Sequence, residues 1–146
     1  DVERSRGLGD VYKRQVILVD EYELSAYNWI YYNTPVNSIF LASIDNWELA
    51  ALAGRGLVYA GYRTNKTYER YIDVVNFFTS SNESFLLQII EKYNVSYVFI
   101  TIEDIKKYGN STLNILLSSP FFELDFYNKE VFVFRYNYLH MSNDFR

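Results

Sequence analysis

The sequence predicts an α/β domain in three layers: a Rossmann-like, mainly parallel sheet with helices on both faces, closed by a C-terminal antiparallel hairpin. Three observations predict it. Apolar runs of strand length alternate with segments whose apolar residues recur every three to four positions. Val95 to Thr101 (VSYVFIT) is apolar on both faces, as a strand covered from two sides requires. The chain then ends on two alternating aromatic-rich runs around Asn128-Lys129-Glu130.

Each element has its own signal. Val16 to Val19 is a short apolar run that can form a first strand. From Ser25 to Asn33, Ala26, Trp29 and Ile30 repeat at helical spacing, and Pro35 ends the segment because it disfavours helical geometry at Thr34. Ser38 to Ser43 reads as a buried strand, and Asp45 to Gly54 as a short helix with an acidic start and a glycine at its end. Leu57 to Ala60 is the next strand, with residues 61–65 as its loop. Tyr68, Tyr71, Ile72, Val75 and Phe78 then form the stripe of one helix, and Phe85, Leu86, Ile89, Ile90 and Tyr93 that of a second. For the second, Asn82 is the expected N-cap and Asn94 the left-handed residue at its end. After the strand at Val95 come a short helix through Ile105 and another carrying Leu113, Leu116 and Leu117, with Pro120 as the stop. Phe121 to Tyr127 and Val131 to Tyr136 make the hairpin.

A length of 146 residues fits one domain. Residues 1–15 are charged, glycine-containing and without period. They resemble translated adapter read-through in metagenomic assemblies, so we expect a non-native leader there, a single domain over 16–146, and missing chain upstream. No run approaches the ~20 apolar residues of a membrane-spanning helix.

Composition removes several function classes. Fourteen basic against eighteen acidic residues give a net charge of −4, without the basic footprint that nucleic acid requires. Zero cysteines exclude thiolate chemistry and disulfides, and a single histidine, His140, leaves little room for a metal site or a triad. Neither G-x-G-x-x-G nor G-x-x-x-x-G-K-[ST] occurs in the folded part, so a nucleotide-dependent enzyme draws no support beyond the sheet type.

In a parallel sheet, ligands bind beyond the carboxyl ends of the strands. The loops expected there bring together Asp45, Trp47, Arg63 and Glu103, a polar rim with an aromatic platform suited to a sugar or another polar small molecule. A blander reading competes. Asp45-x-x-Glu48 and Thr101-x-x-Asp104 both have capping-box spacing, and capping is the favoured reading of these carboxylates. Arg55, between Gly54 and Gly56, has two readings: an anchoring salt bridge, or contact with an anionic partner. N-x-[ST] sequons stand at Asn65, Asn82, Asn94 and Asn110. The first, second and fourth fall in expected loops or helix starts and are candidate glycosylation sites. Asn94 leads into a strand and reads as a helix cap.

The order and spacing of several segments carry a resemblance. Trp29-Ile30 is followed by Thr34-Pro35, Ser38-Ile-Phe-Leu41, Gly54-Arg55, Gly61-Tyr62, Tyr68-Glu69-Arg70 with Asp73-Val74, Leu87 to Tyr93, Val95 to Ile100, Glu103 and Tyr108. Over about Leu24 to Tyr136 this resembles the C-terminal soluble tail of multi-pass membrane proteins similar to lipid-phosphosugar-dependent, mannosyltransferase-like glycosyltransferases of archaea and bacteria. The resemblance implies an extracytoplasmic accessory domain without catalytic residues of its own. It further implies an upstream transmembrane domain as its partner, contact with a lipid-linked sugar or acceptor, and a polyprenyl-phosphate sugar donor used by the parent rather than by this domain. The Trp-Trp-Asp-Tyr-Gly motif of oligosaccharyltransferase catalytic subunits is absent, since Asp45-Asn46-Trp47 does not match it, and acceptor-sequon recognition does not carry over. Two rivals stand beside this reading: an exported module binding a small polar ligand such as a sugar, and a self-contained Rossmann-like enzyme.

Overall fold

Asp20 starts the first helix. Its carboxylate accepts from the Glu23 amide at 2.8 Å, so α1 spans Glu21–Asn33 and begins a turn before the apolar stripe that predicts it. A computed structural model of the chain describes residues 20–61 and 64–137. The expected leader at 1–15, the strand at Val16 to Val19, Arg63 and His140 lie outside them.

The remaining elements follow as β1 (Ile39–Leu41), α2 (Glu48–Ala53), β2 (Gly56–Leu57), α3 (Tyr68–Thr79), α4 (Glu83–Lys92), β3 (Tyr97–Thr101), α5 (Ile102–Tyr108), α6 (Ser111–Ser118), β4 (Phe122–Tyr127) and β5 (Val131–Tyr136). Asn82 caps α4 by accepting from the Phe85 amide at 3.1 Å, and Asn94 takes φ +54°, both as the sequence predicts. The expected strand at Leu57 to Ala60 is shorter. Gly56 and Leu57 pair with β1 and the Val58 amide still donates to the Phe40 carbonyl at 3.0 Å, while the side chains of Val58 and Tyr59 are buried against the core, so the apolar run outlasts the strand.

The five strands lie in the order β2-β1-β3-β5-β4. β1 pairs in parallel with β2 and β3, with Phe40 opposite Leu57 and Tyr97. β5 pairs antiparallel with both β3 and β4, with Val133 opposite Phe99 and Phe126. The fold is thus mixed α/β, with pairings evenly divided between parallel and antiparallel rather than mainly parallel. β3 is buried along its whole length. Tyr97 and Phe99 point to the face covered by Ala26, Tyr27 and Ile30 of α1 and Leu49 and Ala53 of α2. Val98 and Ile100 point to the other, under Val74, Phe77, Leu86, Ile90 and Leu116 of α3, α4 and α6. Alternation on a strand covered from both sides explains why this run carries no polar face.

This topology fixes where a site can lie. β1 sits between β2 and β3, so the connections leaving β1 and β3 diverge, α2 to the α1 face and α5 to the opposite one. The carboxyl ends of β1 and β3 therefore form a topological switch point, where such sheets open a crevice.

Candidate functional site

The crevice is filled by the chain's own side chains. Ser43, just past β1, is buried and donates from its hydroxyl to Asp104 Oδ1 at 2.6 Å. The Asn46 amide donates to Asp104 Oδ2 at 3.0 Å, as does the Thr101 backbone amide at 2.9 Å. Thr101 and Asp104 complete the expected capping box of α5. Burial raises the Asp104 pKa above the ordinary carboxylate value, while the hydrogen bonds from Ser43, Thr101 and Asn46 act against that rise. Asp104 is thus a polar clasp between the two strand ends, with both oxygens engaged.

The expected capping box at Asp45 does not form. α2 starts at Glu48 with Trp47 as its N-cap and no side-chain cap bond. Asp45 instead accepts from Lys107 Nζ at 2.7 Å and straps the β1–α2 loop to α5. Trp47 is 53% exposed and packs its Cβ over Gly61, which holds a positive φ of +100°. Glu103 is exposed and pairs with Lys106 at 3.3 Å. Asp45 and Trp47, in the loop after β1, and Glu103, in the first turn of α5, are thus each exposed beyond the carboxyl ends of β1 and β3.

Arg55 lies at the opposite end of the sheet. It immediately precedes β2, which runs parallel to β1, and so sits at the amino ends of the strands. It is 6% exposed. Its Nε donates to Thr34 Oγ1 at 3.0 Å, Nη1 to the carbonyls of Ala53 and Gly54 at 3.2 Å, and Nη2 to those of Ile30, Tyr31 and Thr34 at 3.3, 3.0 and 2.9 Å. No carboxylate pairs with it among the described residues. The guanidinium caps the C-termini of α1 and α2, neither of which has a basic residue in its last turn. Two helix ends of about −0.5 charge each together balance one cation. Neither a salt bridge nor an exposed anion contact describes it.

The three candidate glycosylation asparagines are all exposed. Asn65 lies in the turn before α3 and Asn110 just before α6, where it makes no side-chain cap bond. Asn82 uses its carbonyl oxygen as the α4 cap.

Sequence reasoning missed a second feature beside the rim. Glu23 is half-buried, and its pKa is pushed up to about 7, first by burial and then by Asp20, Glu48, Asp104 and Glu130. One turn along α1, Tyr27 is 1% exposed and its hydroxyl has no hydrogen-bond partner. The i, i+4 spacing was readable; the burial was not. Because the folded state raises this carboxyl above its ordinary 4.5, its contribution to stability is full below about pH 4.5 and is lost as pH rises through about 7. Glu23→Gln is therefore expected to match the wild type at pH 4.5 and to exceed it at pH 8. At 1.36 kcal/mol per unit, discounted for half exposure, the gain is about 1–2 kcal/mol. Urea unfolding at both pH values measures it, and a difference independent of pH would refute the assignment.

No protein-family profile matches the chain, and no curated protein matches it. Among solved structures it is similar to the C-terminal globular domain of an oligosaccharyltransferase from Archaeoglobus fulgidus, with a TM-score of 0.67 and 17% identity over 81% of this chain and 98% of that one. That likeness establishes a shared fold.

Proposed function

We propose that this chain is a non-catalytic accessory domain of a membrane glycosyltransferase, held at the extracytoplasmic face against that protein's own membrane-spanning region. The parent would supply the catalytic acids and use a polyprenyl-phosphate sugar donor. The observation that carries this reading is the fold likeness, which runs over nearly the whole of a domain taken from the C-terminal end of an oligosaccharyltransferase. The inside of the site supports it: Asp104, Ser43 and Asn46 close the switch-point crevice on themselves, where a Rossmann-like enzyme would hold its ligand. No helix among the described residues is long and apolar enough to cross a membrane, so in this reading the spanning part lies elsewhere in the parent. The exposed rim of Asp45, Trp47 and Glu103 then serves contact with a lipid-linked sugar or acceptor rather than chemistry.

The test is donor-dependent glycosyl transfer by this chain alone, by the full-length parent, and by the parent carrying Trp47→Ala. The chain alone is expected to give no turnover. The Trp47→Ala parent should lose about tenfold, equivalent to ~1.4 kcal/mol of lost contact. Because Trp47 is half exposed, the melting temperature of the chain should change little. Turnover by the chain alone would overturn the accessory reading; an unchanged Trp47→Ala parent would overturn the role of the rim.

A further inference from the structure

The chain carries four N-x-[ST] sequons, and the fold gives three of them other work. A sequon is defined by its asparagine amide together with the hydroxyl two positions on, so a folded acceptor has to present both at its surface. Asn82 uses its carbonyl oxygen as the α4 cap, and Ser84 already lies in the first turn of that helix. Asn94 holds φ +54° just past α4, and Ser96 is tied into the sheet, its amide donating to the Ile39 carbonyl at 2.8 Å and its carbonyl accepting from the Tyr136 amide at 2.9 Å. Asn110 is exposed, but Thr112 is buried and its hydroxyl donates to the Phe77 carbonyl at 2.7 Å, tying α6 to α3. A cap, a left-handed turn and an interhelical bond thus account for these residues on structural grounds.

Asn65-Lys66-Thr67 differs from all three. Thr64 to Thr67 form a turn in which the Thr67 amide donates to the Thr64 carbonyl at 3.1 Å, and Asn65 and Lys66 stand exposed at its tip. Among the described residues, none forms a hydrogen bond or ion pair with the Asn65 side chain. The Thr67 hydroxyl accepts from the Thr64 amide at 2.8 Å, a bond inside the same exposed turn rather than one to the core. Opening such a turn disturbs no packed layer, whereas releasing Ser96 or Thr112 would break a sheet pairing or a helix–helix contact. Turn preference explains an asparagine at position 65, but it leaves the amide nitrogen unused.

We infer that Asn65 is an N-glycan acceptor, the one sequon of the four that the folded chain presents whole. The chain is then the substrate of an oligosaccharyltransferase, with a polyprenyl-phosphate-linked sugar as donor. Asn65 Nδ2 attacks C1 of the sugar; the C1–N bond forms as the C1–O bond breaks, the electron pair leaves on the lipid phosphate, and the amide gives up one proton. The inference rests on the accessory-domain reading only for its compartment. In the test, the full chain and four synthetic peptides, one per sequon, are incubated with a purified oligosaccharyltransferase and a polyprenyl-phosphate-linked oligosaccharide, and occupancy is read site by site by mass spectrometry. Asn65 in the chain is expected to react within about threefold of its peptide, and Asn82, Asn94 and Asn110 about tenfold or more below theirs, because a site held by the fold reacts only in its open population. Thr67→Ala should lose about tenfold at Asn65 and Thr67→Ser should retain most of it, with thermal unfolding confirming that both variants are folded. An Asn65 left bare in the chain, or another sequon that keeps its peptide's rate, would overturn the inference. Occupancy in vitro with a bare Asn65 in the parent purified from its own cells would instead count against the extracytoplasmic placement and leave the acceptor site standing.

Discussion

Arg55→Glu is expected to leave the protein without a cooperative unfolding transition at neutral pH. A surface arginine would tolerate the change within about 0.5 kcal/mol. Arg55 is instead buried, and its three nitrogens hold five backbone carbonyls and the Thr34 hydroxyl at the ends of two helices. Removing the guanidinium takes a donor from each of those carbonyls, although the Ile30 carbonyl keeps the Thr34 amide and hydroxyl, at a cost of about 3–5 kcal/mol by analogy with breaking a buried charge pair. The introduced carboxylate then faces two negative helix ends, which adds repulsion. Against a total stability of about 5–15 kcal/mol this is enough to unfold a domain of this size. Arg55→Lys should recover part of the loss, because one ammonium offers three donors where six acceptors wait. Urea titration followed by circular dichroism measures both. A cooperative transition for Arg55→Glu within 1 kcal/mol of the wild type would refute the capping role.

The same residue shows what a sequence can and cannot disclose. Gly54-Arg55-Gly56 marked a helix-to-strand turn correctly: Gly54 takes φ +68°, and a Cβ on Gly56 would come within 3.1 Å of Ile39 Cδ1. What the turn faces depends on where α1 ends, a contact made across 21 to 25 positions of chain, and no local pattern encodes it. The elements themselves were legible where periodicity and caps agreed, as in α4 between Asn82 and Asn94. Capping boxes were legible only in part. Thr101-x-x-Asp104 forms one, because Thr101 sits at a strand end with extended backbone, whereas Asp45 is drawn to Lys107 of α5 and leaves the start of α2 uncapped. The rim residues Asp45, Trp47 and Glu103 were placed at the strand ends by counting strands alone, while Ser43 and Asn46 gave no signal. Their roles come from the switch point, which depends on strand order rather than on sequence order.

Val98→Asp has the largest expected effect, because it tests that strand order at its centre. Val98 is fully buried, opposite Leu41 of β1 and Phe134 of β5, and its face is covered by the apolar side chains of α3 and α4. An aspartate there has no cation to pair with and no room for water. Ionised, it costs several kcal/mol in desolvation alone; protonated, it still leaves a polar group in an apolar layer. The protein is expected to lose its cooperative melt at pH 7. Some of the folded state should return toward acidic pH: burial raises the carboxyl's folded-state pKa, so the folded form is favoured below that pKa and lost as pH rises through it. Val98→Ala separates charge from volume, since deleting two methyl groups from the same site should cost only about 1–3 kcal/mol and leave a cooperative transition with little pH dependence. Calorimetry of the two variants at pH 7 and pH 4 distinguishes the terms. A Val98→Asp protein that melts cooperatively at pH 7 within a few degrees of the wild type would mean that β3 is not covered on both faces, and the crevice at its carboxyl end would lose its structural basis.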